Sequence, residues 1–277
     1  MKTISIDIQG HRGARGLMPE NTIPAFIKAL ELGITTLELD LAVTKDGQLL
    51  VSHEPFMNHV FVLDSMGRDI PKVEETKHNI YEMTYAQVEK YDVGSKFHKH
   101  FPDQQKMVVA KPLLIDVVNA VNDYAAKHDI KDIRYNIEVK SLPVGDDKFH
   151  PTPQVFSDLV YDFINKHMNK NLLNVQSFDF RVLQYFHQNY PDIELAVLVE
   201  NTLPIEENLQ ELGFHPQKYS CYYPLLNEEK VKYLHSLNMK VIPWTVNETA
   251  DMEKMISWGV DGIISDYPNR VIDIFEN

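Results

Sequence analysis

The sequence of 277 residues is short of cysteine, of long apolar runs and of basic residues, and each shortage excludes a class of structure or partner. The single cysteine, Cys221, excludes an intrachain disulfide and a cysteine-based zinc cluster. No run of about 18 apolar residues is present, so no membrane-spanning helix is predicted. The 27 basic residues are outnumbered by 40 acidic ones, and the net charge of −13 argues against nucleic acid or an anionic membrane as a partner. The sequence therefore predicts small-molecule partners.

The N-terminal segment MKTISIDIQG lacks the apolar core and the small-residue cleavage site of a signal peptide. We therefore expect a soluble chain that is cytoplasmic as given, or periplasmic or secreted if a leader has been removed. A chain of this length can bury a substantial core without disulfides. The oligomeric state is left open.

Short β-branched or apolar runs alternate with helical patterns along the whole chain, from ISIDIQG and IPAFIKALELG to DGIIS and NRVIDIFEN. This alternation indicates a parallel sheet, and about eight strand-then-helix units fit a closed (β/α)8 barrel better than an open doubly wound sheet. No GxGxxG motif supports a dinucleotide-binding alternative. The prediction is an α/β fold, with one TIM-barrel domain over residues 1–277.

The segment from residue 54 to residue 105 interrupts this alternation. It is too long for an ordinary loop and too varied in composition for a linker. We predict a small insertion subdomain after the second strand region. Because it begins directly after His53, it is expected to lie over the catalytic mouth of the barrel and to shape access to the site.

Glu38 and Asp40 are two residues apart in the predicted strand TLELDLAV, so both carboxylates project from the same side of it. Converging carboxylates repel each other unless a cation lies between them. Glu138, near the end of another strand, can supply a third carboxylate. Three carboxylates without a thiolate suit Mg²⁺ or Ca²⁺ better than zinc.

The other polar candidates also stand at predicted strand ends, where the active sites of such barrels lie. In chain order these ends carry His11 and Arg12 (first strand), Glu38 and Asp40 (second), Glu138 and Lys140 (third), Gln176 and Ser177 (fourth), and Trp244 (seventh). Imidazole exchanges a proton near neutral pH, which makes His11 and His53 candidate acid and base groups. The sequence predicts that these groups converge at one mouth.

An ordered set of motifs resembles the glycerophosphodiester phosphodiesterase family. The set consists of HRG (His11–Gly13), PENT (Pro19–Thr22), the ExD pair Glu38 and Asp40, TKDG (Thr44–Gly47), His53, IEVK (Ile137–Lys140), the pair Ser177 and Phe178, PWTVN (Pro243–Asn247) and the terminal GVDGIISDYP. HRG alone would be a weak signal, whereas the whole set in this order is specific. One departure is Glu54, since the family usually has aspartate after the second histidine.

The resemblance implies a TIM barrel with a small inserted subdomain, one divalent cation, and hydrolysis of glycerophosphodiesters to glycerol 3-phosphate and an alcohol. Carried over by position, it makes His11 and His53 the acid/base pair, Glu38, Asp40 and Glu138 the metal ligands, and Arg12 and Lys140 the phosphate contacts. For Lys140 an ion pair with Glu138 is a competing interpretation, and Trp244 is expected to contact the ligand. Which histidine is the acid, and whether the cation is Mg²⁺ or Ca²⁺, stay open.

The PENT segment is interpreted mainly as a helix start. Asn21 or Thr22 can cap the helix that follows, and Glu20 suits its positive end. No chemistry is assigned to this motif.

Two other functions stay open at this point. A lysophospholipase D or sphingomyelinase D-like enzyme of the same architecture would need an apolar groove or a membrane-facing loop at the mouth, and the candidates for its lining are Phe56, Val60, Phe61 and Val62. The second is a catalytically silent protein that binds glycerol phosphate or a sugar phosphate. Such a protein has no need for two histidines that flank a metal.

Overall fold

The computed structural model describes residues 6–276 and has a barrel of parallel strands surrounded by helices. Within that range the strands are β1 (Asp7–Gly10), β2 (Thr36–Val43), β3 (Leu49–Val51), β4 (Arg134–Val139), β5 (Leu173–Ser177), β6 (Glu194–Val199), β7 (Lys218–Cys221), β8 (Lys240–Val241) and β9 (Gly262–Ser265). The helices are α1 (Ile23–Glu31), α2 (Tyr85–Val88), α3 (Leu114–His128), α4 (Pro153–His167), α5 (Phe180–Asn189), α6 (Ile205–Leu212), α7 (Glu228–Ser236), α8 (Thr249–Ser257) and α9 (Pro268–Glu276). The predicted segments ISIDIQG and NRVIDIFEN extend to residues 4, 5 and 277, which lie outside the described residues.

Eight of these strands pair in parallel in the order β8-β7-β6-β5-β4-β2-β1-β9. The two ends of this path meet, because the amide of Asp261 donates to the carbonyl of Val241 at 2.9 Å and the amide of Ile264 donates to the carbonyl of Pro243 at 3.0 Å. The predicted (β/α)8 barrel is therefore confirmed. Among residues 6–276 no helix is both long enough and apolar enough to cross a bilayer.

The alternation of side chains along β2 explains the layers of the molecule. Leu37, Leu39 and Leu41 belong to the main apolar core between the strands and the helices. Glu38 and Asp40 point into the barrel, where Glu38 meets a side chain from β5. A strand of period two can serve both layers because successive residues face opposite sides.

β2 has the bounds of the predicted run TLELDLAV, but Glu38 and Asp40 do not lie at its end. Its parallel pairing with β4 ends where Leu41 meets Val139, but the strand continues to Val43 and pairs there with β3 in an antiparallel hairpin. The prediction that Glu38 and Asp40 close the second strand is therefore wrong as a strand boundary. The two carboxylates still lie near the rim, because the barrel itself ends at about that level.

The segment between β3 and α3 has an apolar cluster of its own. Its buried members are Ala42, Leu50, Met57, Phe61, Val62, Ile70, Ile80, Val88 and Val93. Ala42 and Leu50 come from the β2–β3 hairpin, so the hairpin anchors this segment to the rim of the barrel. The bounds 54–105 for an insertion subdomain stay a prediction.

Candidate active site

His11 and Arg12 lie in a tight turn directly after β1. Arg12 and Gly13 both have left-handed backbones, with φ of 52° and 84°. A Cβ atom at position 13 would stand 2.5 Å from the carbonyl carbon of Ala25, so glycine is required there for space as well as for conformation. The turn aims the amide of Arg12 at Glu38, where it donates to Oε2 at 2.8 Å.

Glu38, Asp40 and Glu138 form a carboxylate cluster at the mouth of the barrel. One oxygen of each lies within 4.8 Å of the others, and all three residues are buried. Burial, together with the charges of Asp40 and Glu138, raises the pKa of Glu38 well above its ordinary value. Oδ1 of Asp40 is buried and has no hydrogen-bond partner. An oxygen-only cluster with an unpartnered buried oxygen fits a hard divalent cation.

His11 is oriented by Asp266, the residue that follows β9. Nδ1 of the imidazole lies 2.7 Å from Oδ1 of Asp266, which leaves Nε2 4.0 Å from Oε2 of Glu38. Burial and the charge of Arg15 lower the pKa of His11 to about 4, although Asp266 opposes them. Burial alone would raise the pKa of Asp266, but Arg15 and His11 hold it below its usual value. Nε2 of His11 therefore faces the carboxylate cluster.

His53 lies two residues after β3 and is oriented by its neighbour in sequence. Its Nδ1 is 3.1 Å from Oε1 of Glu54. Burial would raise the pKa of the Glu54 carboxyl, but the hydrogen bond and the charge of His53 and the charge of Arg12 keep it below its ordinary value. The glutamate at this position thus still provides a carboxylate for the second histidine.

Arg12 and Lys140 are the cations nearest to the carboxylate cluster in the described part of the chain. Nη1 of Arg12 donates to Oε1 of Glu20 at 2.9 Å, and its Nε lies 3.2 Å from Oδ2 of Asp40. Nζ of Lys140 lies 2.8 Å from Oε1 of Glu138 and 3.9 Å from Oδ1 of Asp40. Arg12 and Lys140 therefore partly balance the negative charge of the carboxylate cluster.

The PENT segment does more than start a helix. Glu20 binds Arg12, and Nδ2 of Asn21 donates to Oδ2 of Asp40 at 2.8 Å. Thr22 precedes α1 as its N-cap residue, but its hydroxyl donates to the carbonyl of Pro19 and caps no amide. The motif was interpreted mainly as a helix start, and in the structure Glu20 and Asn21 also hold Arg12 and Asp40 in place beside the cluster.

Side-chain amides inside the barrel connect the carboxylate cluster to the opposite end of the fold. Lys218 donates to Asn174 at 2.7 Å, Asn174 to Asn136 at 2.6 Å, Asn136 to Gln176 at 3.0 Å, and Gln176 to Oε1 of Glu38 at 3.0 Å. We call these four residues the amide ladder. Each member donates toward the mouth, so the ladder delivers an N–H group to Glu38 and fixes the orientation of its carboxylate.

Two cavities open beside the cluster. The first, the small polar pocket, has a volume of about 120 Å³ and is lined by His11, Arg12, Arg15, Glu38, His53, Glu138, Gln176, Phe178, Leu198, Trp244, Thr245 and Ile264. Trp244 is held in its wall, since Nε1 donates to the carbonyl of Ser220 at 3.0 Å and the ring meets Phe178 edge-on at 5.4 Å. This pocket has the polar groups to hold a phosphate and hydroxyl groups.

The second cavity, the apolar groove, has a volume of about 500 Å³. It is lined by His53, Pro55, Phe56, Glu138, Lys140, Ser141, Leu142, Val144, Gly145, Phe149, His150, Phe178 and Glu200. Phe61 and Val62 are buried in the apolar cluster of the segment between β3 and α3, and Val60 packs against that cluster. Three of the four residues that the sequence predicted to line an apolar groove therefore do not line it. Phe56 does line it, and the loop after β4 supplies most of the rest.

The structure brings all eight sequence-predicted site residues to one mouth, while their individual roles stay predictions. The sequence reasoning missed Asp266, Arg15, Glu20 and Asn21 as members of the site. Asp266 could have been found, because it follows the last strand within the SDYP stretch and obeys the same strand-end rule as the others. The other three are visible only through the turn that carries them back to the cluster.

Comparison with known proteins points to one family. The profile of the glycerophosphoryl diester phosphodiesterase family matches residues 11–270. A glycerophosphodiester phosphodiesterase of Bacillus subtilis is 29% identical over 94% of this chain and 83% of its own length. A crystal structure of a putative glycerophosphoryl diester phosphodiesterase from Silicibacter pomeroyi is 28% identical and aligns with a TM-score of 0.86, covering 98% of this chain and 93% of that one. A human relative named lysophospholipase D GDPD1 is 23% identical over 96% of this chain and 85% of its own length. The chain belongs to the glycerophosphoryl diester phosphodiesterase family.

Proposed function

We propose that this chain hydrolyses glycerophosphodiesters to glycerol 3-phosphate and an alcohol, with the help of one divalent cation. Membership of the family supports the reaction. The observation that carries the proposal is the carboxylate cluster, buried with an unpartnered oxygen, beside two histidines that are each oriented by a carboxylate. A protein that only binds glycerol phosphate has no use for such a pair.

Glu38, Asp40 and Glu138 are the residues that would hold the cation. When bound, Mg²⁺ or Ca²⁺ supplies a positive charge that polarises a phosphoryl oxygen and offsets the charge that develops during the reaction. Arg12 and Lys140 add positive charge at the same mouth, and we assign them to the phosphate. Trp244 forms part of the wall against which the glycerol moiety packs.

The positions of the two histidines suggest separate roles. His53 borders both the small polar pocket and the apolar groove, whereas His11 borders the small polar pocket alone. We assign glycerol phosphate to the small polar pocket, so the ester bond that breaks points toward His53. His11 then accepts the proton of the attacking oxygen, which belongs to water or to a neighbouring glycerol hydroxyl. Attack by the hydroxyl forms a cyclic phosphate, which water then opens to glycerol 3-phosphate. As the bond between phosphorus and the leaving oxygen breaks, His53 donates its proton to that oxygen.

The test is metal removal. With glycerophosphocholine or bis(p-nitrophenyl) phosphate as substrate, a chelator should abolish hydrolysis, and Mg²⁺ or Ca²⁺ should restore it. Independently of turnover, the effective cation should raise the melting temperature of the chelated wild-type protein, because a ligand that binds only the native state stabilises it. Full activity after rigorous chelation would refute the metal role, and binding of glycerol 3-phosphate without any hydrolysis would support the silent binding protein instead.

Lysophospholipase D activity is the second candidate, with sphingomyelinase D-like activity as its variant. The apolar groove beside the cluster and the name of the human relative favour it. The comparison that separates the two functions is kcat/KM on glycerophosphocholine against kcat/KM on lysophosphatidylcholine. A large preference for the second substrate would make this candidate the better description.

A further inference from the structure

The apolar groove continues directly from the small polar pocket. His53, Glu138 and Phe178 line both cavities, so a substrate that spans them passes through the reacting centre. The small polar pocket is compact and carries charged and amide groups. The groove is about four times larger in volume and opens to the surface. The two sides of the reacting centre are therefore built for chemically different groups.

The outer walls of the groove are apolar. Pro55 and Phe56 come from the start of the insertion, Leu142, Val144 and Phe149 come from the loop after β4, and the rings of Phe56 and Phe149 meet edge-on at 6.3 Å. Val144 exposes 85% of its surface and Leu142 exposes 56%, although a loop with no apolar partner would normally carry polar residues there. Apart from His53, Glu138 and Lys140 at the end next to the carboxylate cluster, and the buried His150, Glu200 is the only titratable residue in the described lining. This surface offers little to a sugar or an inositol and much to a hydrocarbon chain.

The loop between β4 and α4 that carries this wall is fixed in place. Nε2 of the buried His150 accepts from the amide of Leu142 at 3.0 Å, and a Cβ atom on Gly145 would stand 2.4 Å from the same nitrogen. Nδ2 of Asn79 donates to the carbonyl of Lys148 at 2.7 Å, which ties the loop to the insertion. The groove is thus a preformed cavity, as ligand sites usually are.

We propose that the apolar groove binds the alcohol that the enzyme releases, and that this alcohol carries an apolar chain. The proposal rests on the proposed hydrolysis and adds the class of substrate: glycerophosphodiesters of long-chain alcohols. The glycerol phosphate lies in the small polar pocket, and the chain leaves the phosphorus past His53 and lies along the groove against Phe56 and Phe149, whose rings meet edge-on at 6.3 Å. Burial of its methylene groups supplies binding energy that a small polar head group cannot supply.

Three soluble substrates test both on which side of the phosphorus the apolar chain binds and whether an apolar alcohol is preferred. They are glycerophosphocholine, the glycerophosphodiester of 1-octanol, and a short-chain lysophosphatidylcholine, all used below their micelle concentrations. We expect kcat/KM for the octyl diester to exceed that for glycerophosphocholine by about 10-fold or more, because several methylene groups are buried. A gain for the lysolipid alone would place the chain on the glycerol side and overturn the proposal. So would a gain that appears only above the micelle concentration, which would indicate docking to a lipid surface.

A matched pair of variants locates the effect. Val144→Glu places a charge on the wall of the groove, and Val108→Glu is its control, since Val108 is equally exposed at 85% and lies outside both cavities. Val144→Glu should remove most of the preference for the octyl diester, measured as the ratio of its kcat/KM to that of glycerophosphocholine, whereas Val108→Glu should leave this ratio unchanged. Equal kcat/KM on the octyl diester and on glycerophosphocholine in the wild type would refute the groove proposal and leave the proposed function standing. If the wild type hydrolyses none of the substrates in the presence of Mg²⁺ and Ca²⁺, the groove proposal and the proposed function are both refuted.

Discussion

The small polar pocket and the apolar groove meet at the same three side chains but are built in different ways. The pocket is made by residues on or next to barrel strands, and its charged groups hold one another in place through contacts such as those between His11, Asp266 and Arg15. The groove is made by a loop and by the start of the insertion. From this difference we infer that the barrel sets the reaction, whereas a loop and an insertion outside the barrel strands select the substrate.

The largest effect should come from the carboxylate cluster. Asp40→Asn removes a charge that the cation needs, so we expect kcat/KM to fall by about 10³-fold, the equivalent of several kcal/mol, on every phosphodiester alike. Asp129→Asn, an exposed change, is the control. Steady-state kinetics on glycerophosphocholine and the octyl diester check the result, and a loss confined to one of them would break the division between pocket and groove.

His53 stands where the two cavities meet. His53→Ala removes the proposed proton donor, and kcat should fall by about 10²-fold or more while the melting temperature stays near that of the wild type. The loss should be smaller for bis(p-nitrophenyl) phosphate, whose leaving group is a weak base and needs less help from an acid. His100→Ala, at an exposed position, should be neutral, and an equal loss on both substrates would argue against the acid role.

The amide ladder ends at the small polar pocket, which Gln176 lines. Gln176→Met removes the N–H group that reaches Glu38, and we expect the affinity for the cation to fall by about 10-fold, since partners of metal ligands have effects of this size. Calorimetric titration of Ca²⁺ or Mg²⁺ into the chelated protein measures it directly. Gln184→Met on the surface of α5 is the matched change, and indistinguishable affinities for the two variants would exclude a role for the ladder.

Phe149 belongs to the groove alone. Phe149→Ala should lower kcat/KM for the octyl diester by about 5-fold through lost apolar contact, with little change for glycerophosphocholine. The ratio of the two constants is the measurement. A uniform loss on both substrates would mean that the loop supports the reacting centre and does not select the alcohol.

The smallest effect is expected at Cys221, which lines neither cavity. It is 2% exposed at the end of β7, and burial raises the pKa of its thiol to about 12. The thiolate that reacts with alkylating agents is therefore scarce. Iodoacetamide at pH 8 should neither label the folded protein at an appreciable rate nor change its activity, which mass spectrometry and an activity assay can follow.

The sequence predicted the site residues on the barrel strands well and the lining of the apolar groove poorly. Glu38 and Asp40 were found because period-two alternation and a strand-end rule are local and regular signals. Asn21 and Glu20 were assigned to a helix start because their pattern also suits one, and only the left-handed turn at Asn21 sends them to the cluster. Three of the four apolar residues assigned to the groove were wrong, since sequence does not show whether Phe61 is buried in a core of its own or lines a cavity.

The amide ladder connects Glu38 at the mouth by hydrogen bonds to Lys218 at the opposite end of the barrel. Lys218 and Glu194, which lie 3.1 Å apart at the start of two barrel strands, stand below the first amide and remote from any substrate. A redesign that fills the barrel with hydrocarbon side chains to gain stability would remove these hydrogen bonds, including the one from Gln176 that orients the carboxylate of Glu38. The centre of this barrel therefore supports the carboxylate cluster, and attempts to stabilise the protein belong in its outer layer of helices.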